Sequence, residues 1–119
     1  MKLLTGFTNR NSFDQSTVDW TAAGDLARDQ KDWHGAVACY RKVLDLDPTL
    51  EHIWVQLGNC AKESGRPEEA GTAYGRALTI DPMNADTHLQ LGHLLKVQGN
   101  LAEAKASYVR AMEINPNLD

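Results

Sequence analysis

From Thr17 onward, apolar and polar positions recur in a block of 34 residues that repeats three times without a gap, over 17–50, 51–84 and 85–118. In the second block Trp54, Leu57 and Ala61 stand at i, i+3 and i+7, the spacing of a helix that buries one face. Ala70, Tyr74, Ala77 and Leu78 make a second stripe of the same kind. Gly65-Arg66-Pro67 separates the two, and Pro67 suits the opening of a helix because a first-turn proline forfeits no intrahelical donor. Asp81-Pro82 closes the second stripe, since proline disfavours helix at the residue before it and cannot continue the hydrogen-bond ladder. Each block therefore predicts two helices, and three blocks in tandem predict an all-α repeat array.

The recurrence extends to identity. The fourth position of each unit is Trp20, Trp54 and His88, the eighth Gly24, Gly58 and Gly92, and the twentieth Ala36, Ala70 and Ala104. The twenty-fourth is Tyr40, Tyr74 and Tyr108, the twenty-seventh Val43, Ala77 and Ala111, and the thirty-second Pro48, Pro82 and Pro116. Gly58 and Ala70 let two helix axes approach, with the Trp54 and Tyr74 rings filling the space alongside. A larger residue at either small position is expected to overpack the pair by about 1–3 kcal/mol.

Composition narrows the functional classes. The chain has 119 residues, enough for one domain and too few for a catalytic domain beside a separate binding domain. With 12 Lys and Arg against 16 Asp and Glu the net charge is −4, which argues against non-specific nucleic-acid binding. The longest apolar run falls far short of a bilayer span. The first 16 residues hold no secretory leader, so a cytoplasmic location is expected. Cys39 and Cys60 form no metal-ligand or disulfide pattern and are expected as small buried hydrophobes in a reducing compartment. His88 and His93, at i and i+5, point about 140° apart on a helix and cannot share a metal. No nucleophile, metal or phosphate-binding motif is present, so neither catalysis nor a cofactor is expected.

The run Trp54-x2-Leu57-Gly58-x2-Ala61, Ala70-x3-Tyr74-x2-Ala77, Pro82 resembles the tetratricopeptide repeat, and the resemblance covers 17–118. Three positions depart from that pattern: His88, Ala23, and Lys31 in place of the glycine between helices. His88 suggests a less apolar seam in the third unit. The resemblance implies a right-handed superhelix of antiparallel helix pairs with a concave groove, lined mainly by first helices, that binds a peptide or protein.

The resemblance places the groove at the second, fifth, sixth, ninth, twelfth and thirteenth positions of each unit, among them Asp25, Arg28, His52, Gln56, Asn59, Lys62, Glu63, Asp86, Gln90, His93 and Lys96. Arg28, Lys62 and Lys96 recur at the twelfth position, either as a basic ladder for an acidic peptide or as solvated charges favoured near helix C-termini. Asp25, Asn59 and His93 recur at the ninth; with Gln56 and Gln90 they could hydrogen-bond a partner's main chain. The carboxylate clamp of heat-shock co-chaperones looks absent, because its lysine, asparagine and arginine places hold Thr21, Asp25, Gln56, Asp86 and Gln90.

Three features leave alternatives open. Gly71 and Gly75 mark either a tolerant exposed face or the close approach of another helix. Tyr108, Ala111, Met112 and Ile114 form a last stripe that a further unit, a second copy, or residues 1–16 with Phe7 and Phe13 could cover. The expected function is a non-catalytic protein-interaction module. The alternatives are the N-terminal segment of a larger enzyme such as a bacterial glycosyltransferase, suggested by the stretch from His88 to Gly99, and a homo-oligomerising scaffold.

Overall fold

The computed structural model describes the backbone of residues 2–118 and the side chains of residues 15–118. Six helices make up the fold: α1 Lys2–Asp29, α2 Trp33–Leu46, α3 Glu51–Glu63, α4 Pro67–Ile80, α5 Ala85–Val97 and α6 Leu101–Ile114. The described residues contain no strand. The helices pair antiparallel as α1/α2, α3/α4 and α5/α6, and the pairs stack into a right-handed solenoid. The Cα radius of gyration is 16.7 Å, against about 13.5 Å for a compact domain of this length. α1 continues the first unit's opening helix back to Lys2. The contacts expected of Phe7 and Phe13 fall on side chains outside the described residues.

The helix boundaries follow from local chemistry. Pro67 stands in the first turn of α4. The Asp32 side chain accepts from the Gly35 N–H at 3.0 Å, and the Asn84 side chain accepts from the Thr87 N–H at 3.1 Å; each satisfies a helix N–H that has no intrahelical partner. Between the helices of a unit the backbone turns left-handed at Gly65 (φ 78°) and Gly99 (φ 85°). Lys31 does the same in the first unit at φ 62°. The lysine keeps the turn without glycine's freedom, at a conformational cost of about 1–2 kcal/mol.

The repeated glycine and tyrosine are one packing unit. A Cβ added at Gly24, Gly58 or Gly92 would lie 2.7, 2.6 or 2.8 Å from the ring of Tyr40, Tyr74 or Tyr108. Each helix pair thus closes with a tyrosine ring in the space a side chain at the glycine would fill. Tyr40, Tyr74, Ala36 and Ala70 are wholly buried, and Cys60 joins them in the core. Cys39 is half-buried. Trp54 is only partly buried, and its Nε1 donates to the Pro48 carbonyl at 2.8 Å. His88 Nε2 stands 2.9 Å from the Pro82 carbonyl, so the histidine reproduces that bond at the next seam.

The seams between units also carry polar ties. Arg41 of α2 grips Glu69 of α4 with two hydrogen bonds, Nε to Oε2 at 2.7 Å and Nη2 to Oε1 at 2.5 Å. Of the two glycines in α4, Gly71 leaves ordinary van der Waals room, with Leu94 Cδ2 3.6 Å from an added Cβ, and Gly75 faces open space. Neither one is required for any helix contact among the described residues.

Candidate functional site

The first helix of each unit faces the same side, and residues of α1, α3 and α5 line one shared depression. Two open depressions lie on that side. The larger, about 410 Å³, is bordered by Thr17, Val18, Thr21, Ala22, Asp25, Leu50 and His52. The other, about 350 Å³, is bordered by Arg28, Trp33, Gln56, Asn59, Cys60, Lys62, Glu63, Asp86 and Gln90. Arg28 Nη1 stands 3.4 Å from Asp25 Oδ1, so this pair forms the ridge between the two depressions. The first is mainly apolar with small side chains. The second is polar and amide-rich.

Its polar groups are held in a repeating pattern. Arg28 Nη1 donates to Gln56 Oε1 at 3.1 Å, and one unit further on Lys62 Nζ donates to Gln90 Oε1 at 3.1 Å. Each bond links the twelfth position of one unit to the sixth of the next. Guanidinium and ammonium groups only donate, so they fix which end of each amide they meet. Both glutamines must present oxygen to the cation and keep Nε2 as a free donor. The Tyr74 hydroxyl donates to Asn59 Oδ1 at 2.5 Å, which likewise leaves Asn59 Nδ2 as a donor. No described residue accepts from Gln56 Nε2, Asn59 Nδ2 or Gln90 Nε2. The three amides form a row of oriented N–H groups across α3 and α5.

The cations are committed unequally. Arg28 also contacts Asp29 at 3.0 Å, so two carboxylates neutralise it. The hydrogen bonds Arg28 donates to Asp29 are the main reason its guanidinium is held more firmly protonated than usual. Lys62 meets the neutral amide of Gln90, and no carboxylate of the described residues lies within ion-pair distance of it. Lys96 is exposed, and no sixth position of a further unit stands beside it among the described residues. Glu63 and Asp86 make no hydrogen bond or ion pair with any described residue. Burial raises the Tyr74 hydroxyl above the ordinary tyrosine range, and the charges of Asp86 and Glu63 add to that rise. Burial likewise pushes the Cys60 thiol up to about 11, so it is a neutral wall of the pocket.

Of the groove residues named from the sequence, Arg28, Gln56, Asn59, Lys62, Glu63, Asp86 and Gln90 converge on the polar depression, and Asp25 and His52 border the apolar one. His93 and Lys96 lie on α5 outside both. His93 packs against the Tyr108 ring with centroids 5.4 Å apart. Asp25, expected to offer its side chain to a partner, already accepts from the Tyr40 hydroxyl at 2.6 Å. Trp33 and Leu50 were not singled out, because each stands at the edge of a helix where the repeat register assigns no groove role. The tyrosine recurring fifteen residues after each ninth-position residue was visible in the sequence and could have signalled those bonds.

This geometry defines a class: a helical-repeat solenoid whose first helices present a polar, amide-lined concave groove. The chain belongs to the tetratricopeptide-repeat family, with three tandem repeats. Family profiles described as TPR repeat and tetratricopeptide repeat match residues 61–99, 85–118 and 20–50. No curated protein matches the chain. Among solved structures, the first TPR of Spaghetti (RPAP3) bound to the HSP90 peptide SRMEEVD is similar with a TM-score of 0.82 and 21% identity, over 87% of this chain and 82% of that one. The Arabidopsis OM64 TPR domain is similar with a TM-score of 0.82 and 20% identity, over 88% and 87%. The Yersinia enterocolitica type III secretion chaperone SycD, in complex with a peptide of the translocator YopD, gives 0.79 and 19% over 90% and 79%. No helix among the described residues is long and apolar enough to cross a membrane.

Proposed function

We propose that the chain is a non-catalytic interaction module that holds an extended segment of a partner protein along its concave groove. The observation that carries this reading is the row of free, oriented donors at Gln56, Asn59 and Gln90. An extended chain presents carbonyls at regular intervals, and prepositioned donors bind them without first paying to order the side chains. The apolar depression beside Val18, Thr21 and Leu50 is suited to one aliphatic side chain of the same segment. The peptides in the titles of the RPAP3 and SycD structures support a groove ligand of this kind by analogy of fold. They do not support the HSP90-type clamp here, because carboxylates, Asp25 and Asp86, occupy two of its places.

Two finer readings draw less support. An acidic partner rests on the twelfth-position cations, and Arg28 among them is neutralised by Asp25 and Asp29. Pairing of copies through the outer face of α6 would place Lys105 at the register position from which Gly71 faces Leu94 of the next unit.

Peptides selected from a random library on the wild-type chain provide the test. Gln56→Met with Gln90→Met removes two donors at similar length. Asn59→Ser removes the third amide N–H without adding charge and keeps an oxygen beside Tyr74. The triple variant should bind selected peptides about 10–100-fold more weakly at unchanged helicity. Unchanged affinity would contradict the proposal.

A further inference from the structure

We infer that the segment held in the groove is basic: it places a lysine or arginine side chain in the polar depression, between Glu63 of α3 and Asp86 of α5. This inference rests on the groove reading above and names its partner's chemistry. Recurrence along the sequence suggests the opposite sign, because it displays three cations at one register position. The structure shows how those charges are spent.

Two cations, Arg28 and Lys62, and two carboxylates, Glu63 and Asp86, border the polar depression, and Asp25 and Asp29 flank Arg28 from outside it. Asp25 and Asp29 both lie within ion-pair distance of Arg28, at 3.4 and 3.0 Å, so its charge is already answered twice. Lys62 spends one of its N–H groups on Gln90 Oε1. Glu63 and Asp86 border the same depression from neighbouring units and have no partner among the described residues. Their charges also reach the buried Tyr74 hydroxyl, which donates to Asn59 of the same depression. An acidic side chain entering here would meet one available cation and two unanswered carboxylates. A basic side chain would meet the reverse, with Asn59 and Gln90 beside it to satisfy main-chain carbonyls. The net charge of −4 over the whole chain adds attraction of the same sign at long range.

The experiment is a random-peptide selection on the wild-type chain, followed by affinity measurement on Glu63→Gln/Asp86→Asn and on the donor-removing triple variant. The recovered peptides should be enriched in lysine and arginine over the starting library. Their Kd should rise about tenfold in the Glu63→Gln/Asp86→Asn variant, with an unchanged circular dichroism spectrum, and their binding should weaken as salt is raised. Recovery of acidic or uncharged peptides, bound equally by wild type and the charge variant but lost on the triple variant, would overturn the basic-partner inference and leave the groove reading intact. Binding that survives the triple variant, or a selection that recovers nothing, would overturn the groove reading and this inference with it.

Discussion

At the residue scale, Thr87 carries the clearest unmet hydrogen bond. Its side chain is wholly buried and its Oγ1 has no hydrogen-bond partner among the described residues. It occupies the third position of its unit, where the preceding unit buries Ile53 at 2% exposure. Thr87→Val keeps the branched shape and removes the stranded hydroxyl. It should raise stability by about 1 kcal/mol in urea denaturation, and a loss of stability would show that the hydroxyl is bonded. The tyrosines make a second expectation. Burial is the main cause that raises both Tyr40 and Tyr74, with the Asp25 hydrogen bond adding to it at Tyr40. The unfolded chain therefore releases these protons first, and the stability the tyrosines contribute is fully present below about pH 10 and falls as pH rises above it. Cys60, raised to about 11, adds a loss of the same sign that begins near its own unfolded value of about 8.5. Urea midpoints should fall between about pH 8 and about pH 11, and Tyr40→Phe/Tyr74→Phe should make the fall shallower. An equally steep fall in that variant would remove the tyrosines from the explanation. These commitments were not legible in the sequence. Gly58 and Tyr74 could be read as partners, because packing follows helical spacing. The hydroxyl's target and the empty acceptor at Thr87 depend on where side-chain tips arrive. His88 shows the same limit: as a residue it looks like a loss of apolar surface, and as a ring N–H it keeps Trp54's bond to a proline carbonyl.

At the scale of elements, the sequence was most informative where it breaks a helix. Pro67, Gly65 and Gly99 mark turns because their backbones alone demand it, and Lys31 holds the same left-handed turn without that signal. The start of α1 could not be read, since a helix propagates one hydrogen bond at a time without burying a face, and the apolar stripe begins only in the first repeat. The repeat register also yields a test of the seams. Arg41 and Glu69 tie the first two units, and the corresponding places in the next pair are Gly75 and Glu103. Gly75→Ala should raise stability by about 1 kcal/mol, since nothing lies near its Cβ. Gly75→Arg should exceed that by about 0.5 kcal/mol through a pair with Glu103, and Glu103→Ala should abolish only the surplus. A Gly75→Arg chain no more stable than Gly75→Ala would show that the seam geometry is not repeated.

At the scale of the whole molecule, the positions facing the groove could be read from the repeat register, and their availability could not. Arg28 and Lys62 recur as a ladder in one dimension. In three dimensions each donates to an amide of the following unit, and the N–H groups of those amides are left free. The ladder thus becomes a row of donors flanked by surplus negative charge. The most direct measurement is the ¹⁵N NMR spectrum of the side-chain amides during titration with a groove-binding peptide recovered by selection. The NH₂ signals of Gln56, Asn59 and Gln90 should shift together and saturate at one peptide per chain. Shifts confined to the outer helices α2, α4 and α6, with those three signals unmoved, would contradict a groove that holds its partner through these donors.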